Sequence, residues 1–583
     1  MSARNAASAA PSDFRSRAAP AGLVSALPQE MHPVLRRVFA ARHVSPGELH
    51  PALGLLLPVG ELPGVGPAAE RLVTARTRGE GVLIIGDFDA DGATATALTL
   101  TCLRAFGFRD PGFLVPDRFS LGYGLSPGIA ELARTRQPDL LLTVDNGITS
   151  FEGVRRAREL GMEVIITDHH LAGPELPATA LIVNPNLVGS RFGSHALCGV
   201  GVAFYLMAET GRRLAELGLV SAAVARETVT GCLDLVALGT VADLVALDFN
   251  NRILVAEGLR RLRAGRTRPG IEALFRVAGK SPASARSSDL GFAIAPRLNA
   301  AGRLTDMTLG IECLLAADEG TARGHAAQLD GLNKERRILQ DRMQGEAQVI
   351  LADLDEAAMV SGGACCLFDE HWHPGIVGLV ANRIREITGE PAIAFARATE
   401  PGMLRGSARS VEGINVRDLI ANAVANLPAL AVRYGGHAMA AGLTLPESAL
   451  ADFKCALAAE LERVRDPLGA PGIVWTDGGL LPDQLHLEFA ELLAAAGPWG
   501  QAFPEPLFDN VFTLAEQRVV GETHLKLQVR HRDGGPLIEA MAFRRPPLAA
   551  GRNSPVRLVY RLDINQYRDR RTAQLVVEHL DCV

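Results

Sequence analysis

Two α/β domains joined by a long helix, with a small all-β domain at the C-terminal end, are the architecture this sequence predicts. Three observations predict it. Apolar runs ending in acidic residues alternate with helical stretches over the first half of the chain. A long amphipathic stretch follows, from about Glu319 to Asp353. Beyond about Ile473 the texture changes to short period-two segments separated by turn signals.

Taken in order, residues 1–52 read as a disordered or extension segment. The first part is rich in Ala, Ser, Pro and Arg and has no apolar core, so it is not a secretory signal. Residues 53–316 read as a metal-bearing α/β domain. Val82-Leu83-Ile84-Ile85 is a buried strand, Ala93 to Phe106 the following helix, and between them lies Gly86-Asp87-Phe88-Asp89-Ala90-Asp91-Gly92. Three carboxylates so close together repel one another unless a cation collects them. A polar turn with some Ca²⁺ affinity would also fit, but no bidentate Glu stands at the EF-hand position.

Repetition of the pattern favours a metal site. Leu140-Leu141-Leu142-Thr143-Val144 ends in Asp145-Asn146-Gly147, and Glu163-Val164-Ile165-Ile166-Thr167 ends in Asp168-His169-His170. A fourth acidic endpoint, Asp243, closes Gly239-Thr240-Val241-Ala242, on or just after a helix. In a parallel sheet all carboxyl ends share one edge, so these clusters converge. Oxygen ligands with imidazole point to two divalent ions, Mn²⁺ or Mg²⁺, one carboxylate bridging them.

The stretch 317–355 reads as a connector helix. Leu332, Leu339, Met343, Ile350 and Leu354 form one stripe, while Arg336, Arg337, Asp341, Arg342 and Glu346 keep other faces wet. Residues 356–468 form a second α/β domain, with buried strands at Ala364–Phe368 and Pro391–Phe395. In residues 469–583, Leu525–Val529 and Val556–Tyr560 alternate, which suits a small antiparallel barrel or, on texture alone, a sandwich.

Bulk properties set limits. A 583-residue chain with 48% hydrophobic and 21% charged residues has ample core for three or four domains. Net charge is 59 − 65 = −6, which argues against a generic nucleic-acid coat but permits a local basic site. Eight scattered cysteines without a Cys-x-x-Cys pair indicate neither zinc nor a disulfide framework, and fit a reducing cytoplasm. No run reaches the length of a membrane span.

Other segments could touch substrate. Arg297-Leu298-Asn299-Ala300-Ala301-Gly302-Arg303 reads as a small-residue loop with two arginines able to grip phosphate. Ser407 and Arg409 lie in Gly406-Ser407-Ala408-Arg409-Ser410. Gly435-Gly436-His437 could expose backbone N–H groups to an anion beside a helix start. Arg118 and Tyr123 lie in Asp117–Gly124, which on its own reads as a surface loop between strands.

The motifs Gly86–Gly92, Val144-Asp145-Asn146-Gly147, Thr167-Asp168-His169-His170 and Gly239–Asp243 together resemble the DHH phosphoesterase superfamily, and within it the RecJ family. Trp372-His373-Pro374-Gly375-Ile376-Val377-Gly378, a loop-to-helix substrate motif, and the Gly435–Gly442 signature of the DHH-associated domain extend the resemblance from about Leu53 to the C-terminus. Phe88 stands where Tyr is frequent.

The resemblance implies a DHH domain, a DHH-associated domain and an OB-fold barrel. It implies 5′→3′ exonuclease action on single-stranded DNA, releasing 5′-mononucleotides in recombination and mismatch repair. Implied metal ligands are Asp87, Asp89, Asp91, Asp145, His169 and Asp243, with Asp145 as bridge and Asp87 a ligand or its immediate support. Asp168 would orient a histidine and His170 would face the scissile phosphate. Arg118, Tyr123, Arg297, Asn299, Arg303, His373, Ser407, Arg409, Gly435, Gly436 and His437 would bind substrate. Arg530, Arg532, Arg568, Arg570, Arg571 and Tyr567 would track DNA along the barrel. Expected partners are DNA with a 5′ end, the single-stranded-DNA-binding protein and a helicase. Two alternatives remain: a small-molecule phosphoesterase, which needs no appended barrel, and a non-catalytic DNA scaffold, which should lack ligands.

Overall fold

The computed structural model of the chain describes residues 13–116, 124–173, 175–353, 365–411, 414–425, 427, 432–436, 439–464, 473–521, 523–567 and 570–582. From Asp13 onward the N-terminal segment is structured, which corrects the expectation of disorder over residues 1–52. β1 (Asp13–Ser16) pairs in parallel with the strand Ile473–Thr476. Helix Pro33–Ala41 starts with proline at its first position and buries Val34, Leu35, Val38 and Phe39. Phe39 lies against Trp499 and Phe503, at ring separations of 6.0 and 6.5 Å. Arg42 is 2.7 Å from Asp477, a pair buried on both sides. The polar start of the segment hid this apolar second part.

Five apolar runs then build an all-parallel sheet. β2 (Val82–Ile85), β3 (Gly112–Leu114), β4 (Leu140–Val144), β5 (Glu163–Thr167) and β6 (Leu181–Val183) lie in the order β3-β2-β4-β5-β6. β2 and β4 are buried along their whole length, as continuous apolar runs require in a sheet covered on both faces. The chain leaves β2 toward β3 on one side and returns as β4 on the other. The junction between β2 and β4 is therefore a topological switch point, where open α/β sheets form their ligand crevice. Helix Ala90–Ala105 begins three residues before the predicted Ala93, because Asp89 caps it.

The segment from Arg297 to Arg303, expected as a loop, lies in the helix Ala295–Leu304. A π-helical turn, Leu290–Ile294, leads into it. The connector runs as one helix, Glu319–Asp353, 35 residues and roughly 50 Å long. Its first half buries Ala322, Ala326 and Leu329 in the core of the parallel-sheet domain. Further along, Met343 and Ala347 are buried in the second domain's cluster, and Leu339 packs against it. Leu354 lies outside the described residues. The charged positions are not all wet: Arg336 is half-buried, and Glu346 accepts a hydrogen bond from the Trp372 indole at 3.1 Å.

β7 (Cys365–Phe368), β8 (Ala392–Arg397), β9 (Met403–Arg409), β10 (Arg433–Gly436) and β11 (Ala440–Pro446) form a mixed sheet in the order β10-β11-β9-β8-β7. Gly435 and Gly436 thus sit in an edge strand that pairs with β11, not beside a helix start, contrary to expectation. After β12 (Ile473–Thr476) come β13 (Phe508–Val520), β14 (His524–His531), β15 (Leu537–Ala542), β16 (Pro555–Tyr567) and β17 (Arg570–Cys582). They close as a barrel, β13-β14-β15-β17-β16, so the sandwich is excluded. Leu525, Leu527 and Val529 fill its interior, as period two requires. One continuous apolar core joins the parallel-sheet domain, the N-terminal helix and this barrel. No described helix is long and apolar enough to cross a membrane.

Candidate metal centre

The loop after β2 is held by glycines and a neighbouring helix. A Cβ at Gly92 would stand 2.6 Å from the Asp87 Cβ, and one at Gly302 would stand 1.7 Å from the Phe88 carbonyl oxygen. The Asn299 side-chain oxygen accepts from the Ala90 N–H at 2.8 Å. Asn299 therefore shapes the acidic loop through its backbone. Asp89 Oδ1 accepts from the Gly92 N–H at 3.0 Å, fixing the carboxylate at the helix start. Asp91 lies inside the first turn, and its two oxygens accept from Gly199 N–H (2.6 Å) and Val200 N–H (2.9 Å), which open the helix Gly199–Glu216.

Asp145 follows β4 with a left-handed φ of 63°, a conformation unusual for a residue with a Cβ. Its N–H still bonds Thr167 at 2.9 Å, so the strain turns the side chain without breaking the sheet edge. Gly199 makes room for it, since a Cβ there would stand 2.4 Å from the Asp145 Cβ. Past β5, His169 Nε2 lies 3.2 Å from Asp145 Oδ1 and 3.5 Å from Asp243 Oδ2. Asp243 caps the helix Leu233–Ala242 at its C-terminal end. Asn186 and Asn184, which sequence reasoning missed, donate to the carbonyls of His169 and His170 at 2.6 and 2.9 Å.

His170 Nδ1 is 2.7 Å from Asp168 Oδ1, and the other Asp168 oxygen accepts from Ile148 N–H at 2.9 Å. Burial opposes both charges. The mutual hydrogen bond and attraction outweigh it, holding Asp168 down to about 2 and lifting His170 to about 9. The carboxylates nearby behave oppositely. Burial, reinforced by their neighbours, pushes Asp145 and Asp243 well above the usual range and Asp91 to about 7. Negative charge is packed here beyond what the protein compensates.

Three triads of potential ligand atoms lie within 4.8 Å: Asp87–Asp89–Asp145, Asp145–His169–His170, and Asp91–His169–Asp243. Asp145 and His169 each belong to two of them. Carboxylate oxygens with imidazole nitrogens, buried and short of positive charge, suit divalent Mn²⁺ or Mg²⁺. All six predicted ligand positions converge, and His170 joins them within ligating reach.

The predicted substrate residues divide. Arg303 donates to the Gly375 carbonyl at 3.3 Å, across the boundary between domains. His373 Nδ1 accepts from Gly375 N–H at 3.1 Å. A Cβ at Gly378 would stand 2.9 Å from the Arg409 guanidinium and 3.0 Å from the Ser407 hydroxyl, so glycine clears that space. Burial, then repulsion by Arg409 and Arg336, lowers Arg303 to about 10, while Asp89 draws it the other way. Burial and Arg385 lower Arg409. Arg303 thus shares its surroundings with Arg336 and Arg409, and Arg409 with Arg385, while Asp89 is the carboxylate of the acidic loop that reaches Arg303. Sequence reasoning missed Arg336 and Arg385, which look like ordinary helix-surface charges.

Arg297 does not join these arginines. It is 8% exposed, and its Nε donates to Asp330 Oδ1 at 2.9 Å, locking helix Ala295–Leu304 to the connector. That corrects its expected role as a phosphate grip. Gly435 lies in register with Gly442 and, through it, with Ser407. Arg118, Tyr123, His437 and Arg568 lie outside the described residues. In the barrel, Arg571 pairs with Glu491 at 2.8 Å, while Arg530 and Arg532 are exposed.

An acidic, imidazole-bearing switch point facing arginines of a second domain defines a metal-dependent phosphoesterase of the DHH class. Residues 81–240 match the DHH family N-terminal domain, 358–463 the DHHA1 domain and 476–579 the RecJ OB domain. The single-stranded-DNA-specific exonuclease RecJ of Salmonella typhimurium is 45% identical over 558 residues, 95% of this chain and 96% of that protein. The crystal structure of Thermus thermophilus RecJ with Mn²⁺ superposes with a TM-score of 0.80 at 30% identity, covering 98% of this chain and 80% of that one. The Mg²⁺ complex from the same organism gives 0.74 at 28% identity, covering 98% and 78%. This chain belongs to the RecJ family.

Proposed function

We propose that this chain hydrolyses single-stranded DNA from its 5′ end, one nucleotide at a time, releasing 5′-mononucleotides. The observation that carries the reading is the end of helix Ala295–Leu304, where Gly302 packs on the Phe88 carbonyl of the acidic loop and Arg303 donates to the Gly375 carbonyl of the second domain at 3.3 Å. A site for a terminal phosphate thereby adjoins a site for divalent ions. Asp87, Asp89, Asp91, Asp145, His169 and Asp243 would hold two ions, with Asp145 shared. Bound there, Mn²⁺ or Mg²⁺ would lower the pKa of a water and neutralise charge at the phosphate.

The remaining steps belong to the chain's own groups. Asp168 holds His170 through Nδ1, so that the protonated ring would set its positive charge against a non-bridging phosphate oxygen as charge develops. Ser407, Arg409 and Arg303 hold the 5′-phosphate, and Gly378 keeps their space open. Arg118, Tyr123, His373, Gly435, Gly436 and His437 complete the terminal-nucleotide site in this reading. The barrel, sharing one core with the parallel-sheet domain, tracks the strand, a part that small-molecule phosphoesterases do not need. Work in recombination and mismatch repair in the cytoplasm, beside a helicase and the single-stranded-DNA-binding protein, follows from the resemblance.

The experiment compares 5′-labelled and 3′-labelled single-stranded oligonucleotides with Mn²⁺, Mg²⁺ or EDTA. Metal-dependent release of the 5′ label as mononucleotide, lost in Asp145→Ala, supports the reading. Turnover of dinucleotides without DNA cleavage would replace it with small-molecule hydrolysis, and silence on both would leave a scaffold. Arg409→Ala should erase the preference for 5′-phosphorylated ends.

A further inference from the structure

Directly after Asp243 the chain places Leu244, 68% exposed and held at a left-handed φ of 59°. A bulky residue seldom adopts that conformation, and an exposed leucine gains nothing from it inside the protein. Beside it lies the π-helical turn Leu290–Ile294, a rare geometry that recurs at functional sites. Leu290 and Ile294 point into the core, which leaves Phe292 outside at 77% exposure. Gly291 brings the turn close to Val241, since a Cβ there would stand 3.2 Å from that side chain.

Leu244 and Phe292 line the same groove, about 870 Å³ in volume. It runs from the end of the metal-bearing helix to Trp499 and Arg561 on the barrel side. Arg263 and Arg286 stand along it, Arg263 donating to the Ala285 carbonyl at 2.8 Å and Arg286 pairing with Asp563. The groove therefore offers apolar surface next to guanidinium groups, and Leu244, the residue that follows Asp243 in the chain, ties its rim to the end of the helix that carries that carboxylate. Single-stranded nucleic acid has the matching chemistry, with bases that stack on apolar and aromatic faces and phosphates that seek arginine.

We infer that Leu244 and Phe292 form a shelf for a nucleobase of the strand on the 3′ side of the scissile phosphate, as that strand leaves the metals for the barrel. The shelf rests on the reading of the chain as a single-stranded-DNA exonuclease. It makes Phe292 a substrate-positioning residue. Exposure of both side chains means that their truncation leaves the core intact.

The test uses the full chain and 5′-phosphorylated oligothymidylates carrying 2-aminopurine at successive positions. They are bound in EDTA, so that the strand stays whole. Wild type should change the emission at one position near the 5′ end, and Phe292→Ala should abolish that change. With Mn²⁺, Phe292→Ala and Leu244→Ala should raise KM about ten-fold with a smaller effect on kcat. Phe292→Trp should restore both signals, and Leu219→Ala, an exposed leucine elsewhere, should alter neither. Emission and KM within about two-fold of wild type in both alanine variants would overturn the shelf and turn the groove over to a protein partner. Wild type that neither binds nor cleaves the oligonucleotide would overturn the exonuclease reading and the shelf with it.

Discussion

The chemistry of single residues here is set by charge that the fold gathers and does not neutralise. Asp145 sits in two potential ligand triads and in a strained conformation that turns it toward them. Asp145→Ala is expected to lower turnover by about a thousand-fold or more, as loss of a shared ligand in a metal-dependent hydrolase implies. Direct Mn²⁺ titration should show weaker binding in the same variant. The Asp168–His170 pair makes a prediction about pH in the metal-free protein. Its histidine stands at about 9, above the unfolded value near 6.5. The stabilisation it contributes is whole below that unfolded value and fades as pH rises through about 9. Imidazole NMR should find the His170 titration near 9 in wild type and well below it in Asp168→Asn.

Helix Ala295–Leu304 shows what secondary structure does to a motif. In a loop, Arg297 and Arg303 could both reach phosphate. On a helix six residues are about 600° of rotation, so the two side chains leave on different faces. One meets Asp330 on the connector and the other meets Gly375 of the second domain. Pro296 in the first turn was the available sign of a helix start. Arg297→Met should cost about 2 kcal/mol in urea unfolding, less than a fully orphaned buried charge because Lys334 still reaches Asp330 at 2.8 Å. Gly302→Ala acts from the opposite face of the same helix. Its methyl would drive into the Phe88 carbonyl, so stability should fall by about 1–3 kcal/mol and activity should fall with it as the acidic loop shifts.

At the scale of the whole molecule, the described part of the N-terminal segment acts as mortar between the parallel-sheet domain and the barrel. Arg42 and Arg17 both reach Asp477, at 2.7 and 3.3 Å, and Phe39 lies on Trp499. Deleting residues 1–45 should make the barrel sensitive to limited proteolysis, while Mn²⁺ binding to the acidic cluster survives. An unchanged digestion pattern would show that the barrel stands without this support. Metal should stabilise the intact chain in proportion to its occupancy. Free ion at a hundred times its dissociation constant adds about 2.7 kcal/mol, readable as a rise in Tm that EDTA reverses.

The sequence by itself determined the sheet, its acidic edge and the period-two barrel strands. Hydrophobic periodicity is local, and a parallel sheet brings the residues after each strand to one edge whatever the loops do. Thus Asp87, Asp145 and His169 were legible from the apolar runs that precede them. It determined the connector helix for the same reason. Only the tertiary structure decided what each arginine meets, because Arg297, Arg303, Arg336 and Arg409 differ in their neighbours from distant parts of the chain and not in their local pattern. It alone seated Asn299 behind the acidic loop, Gly199 behind Asp145, and the N-terminal segment in the shared core. Each of these depends on a contact between residues far apart in the chain, and such contacts leave no period for a single sequence to display.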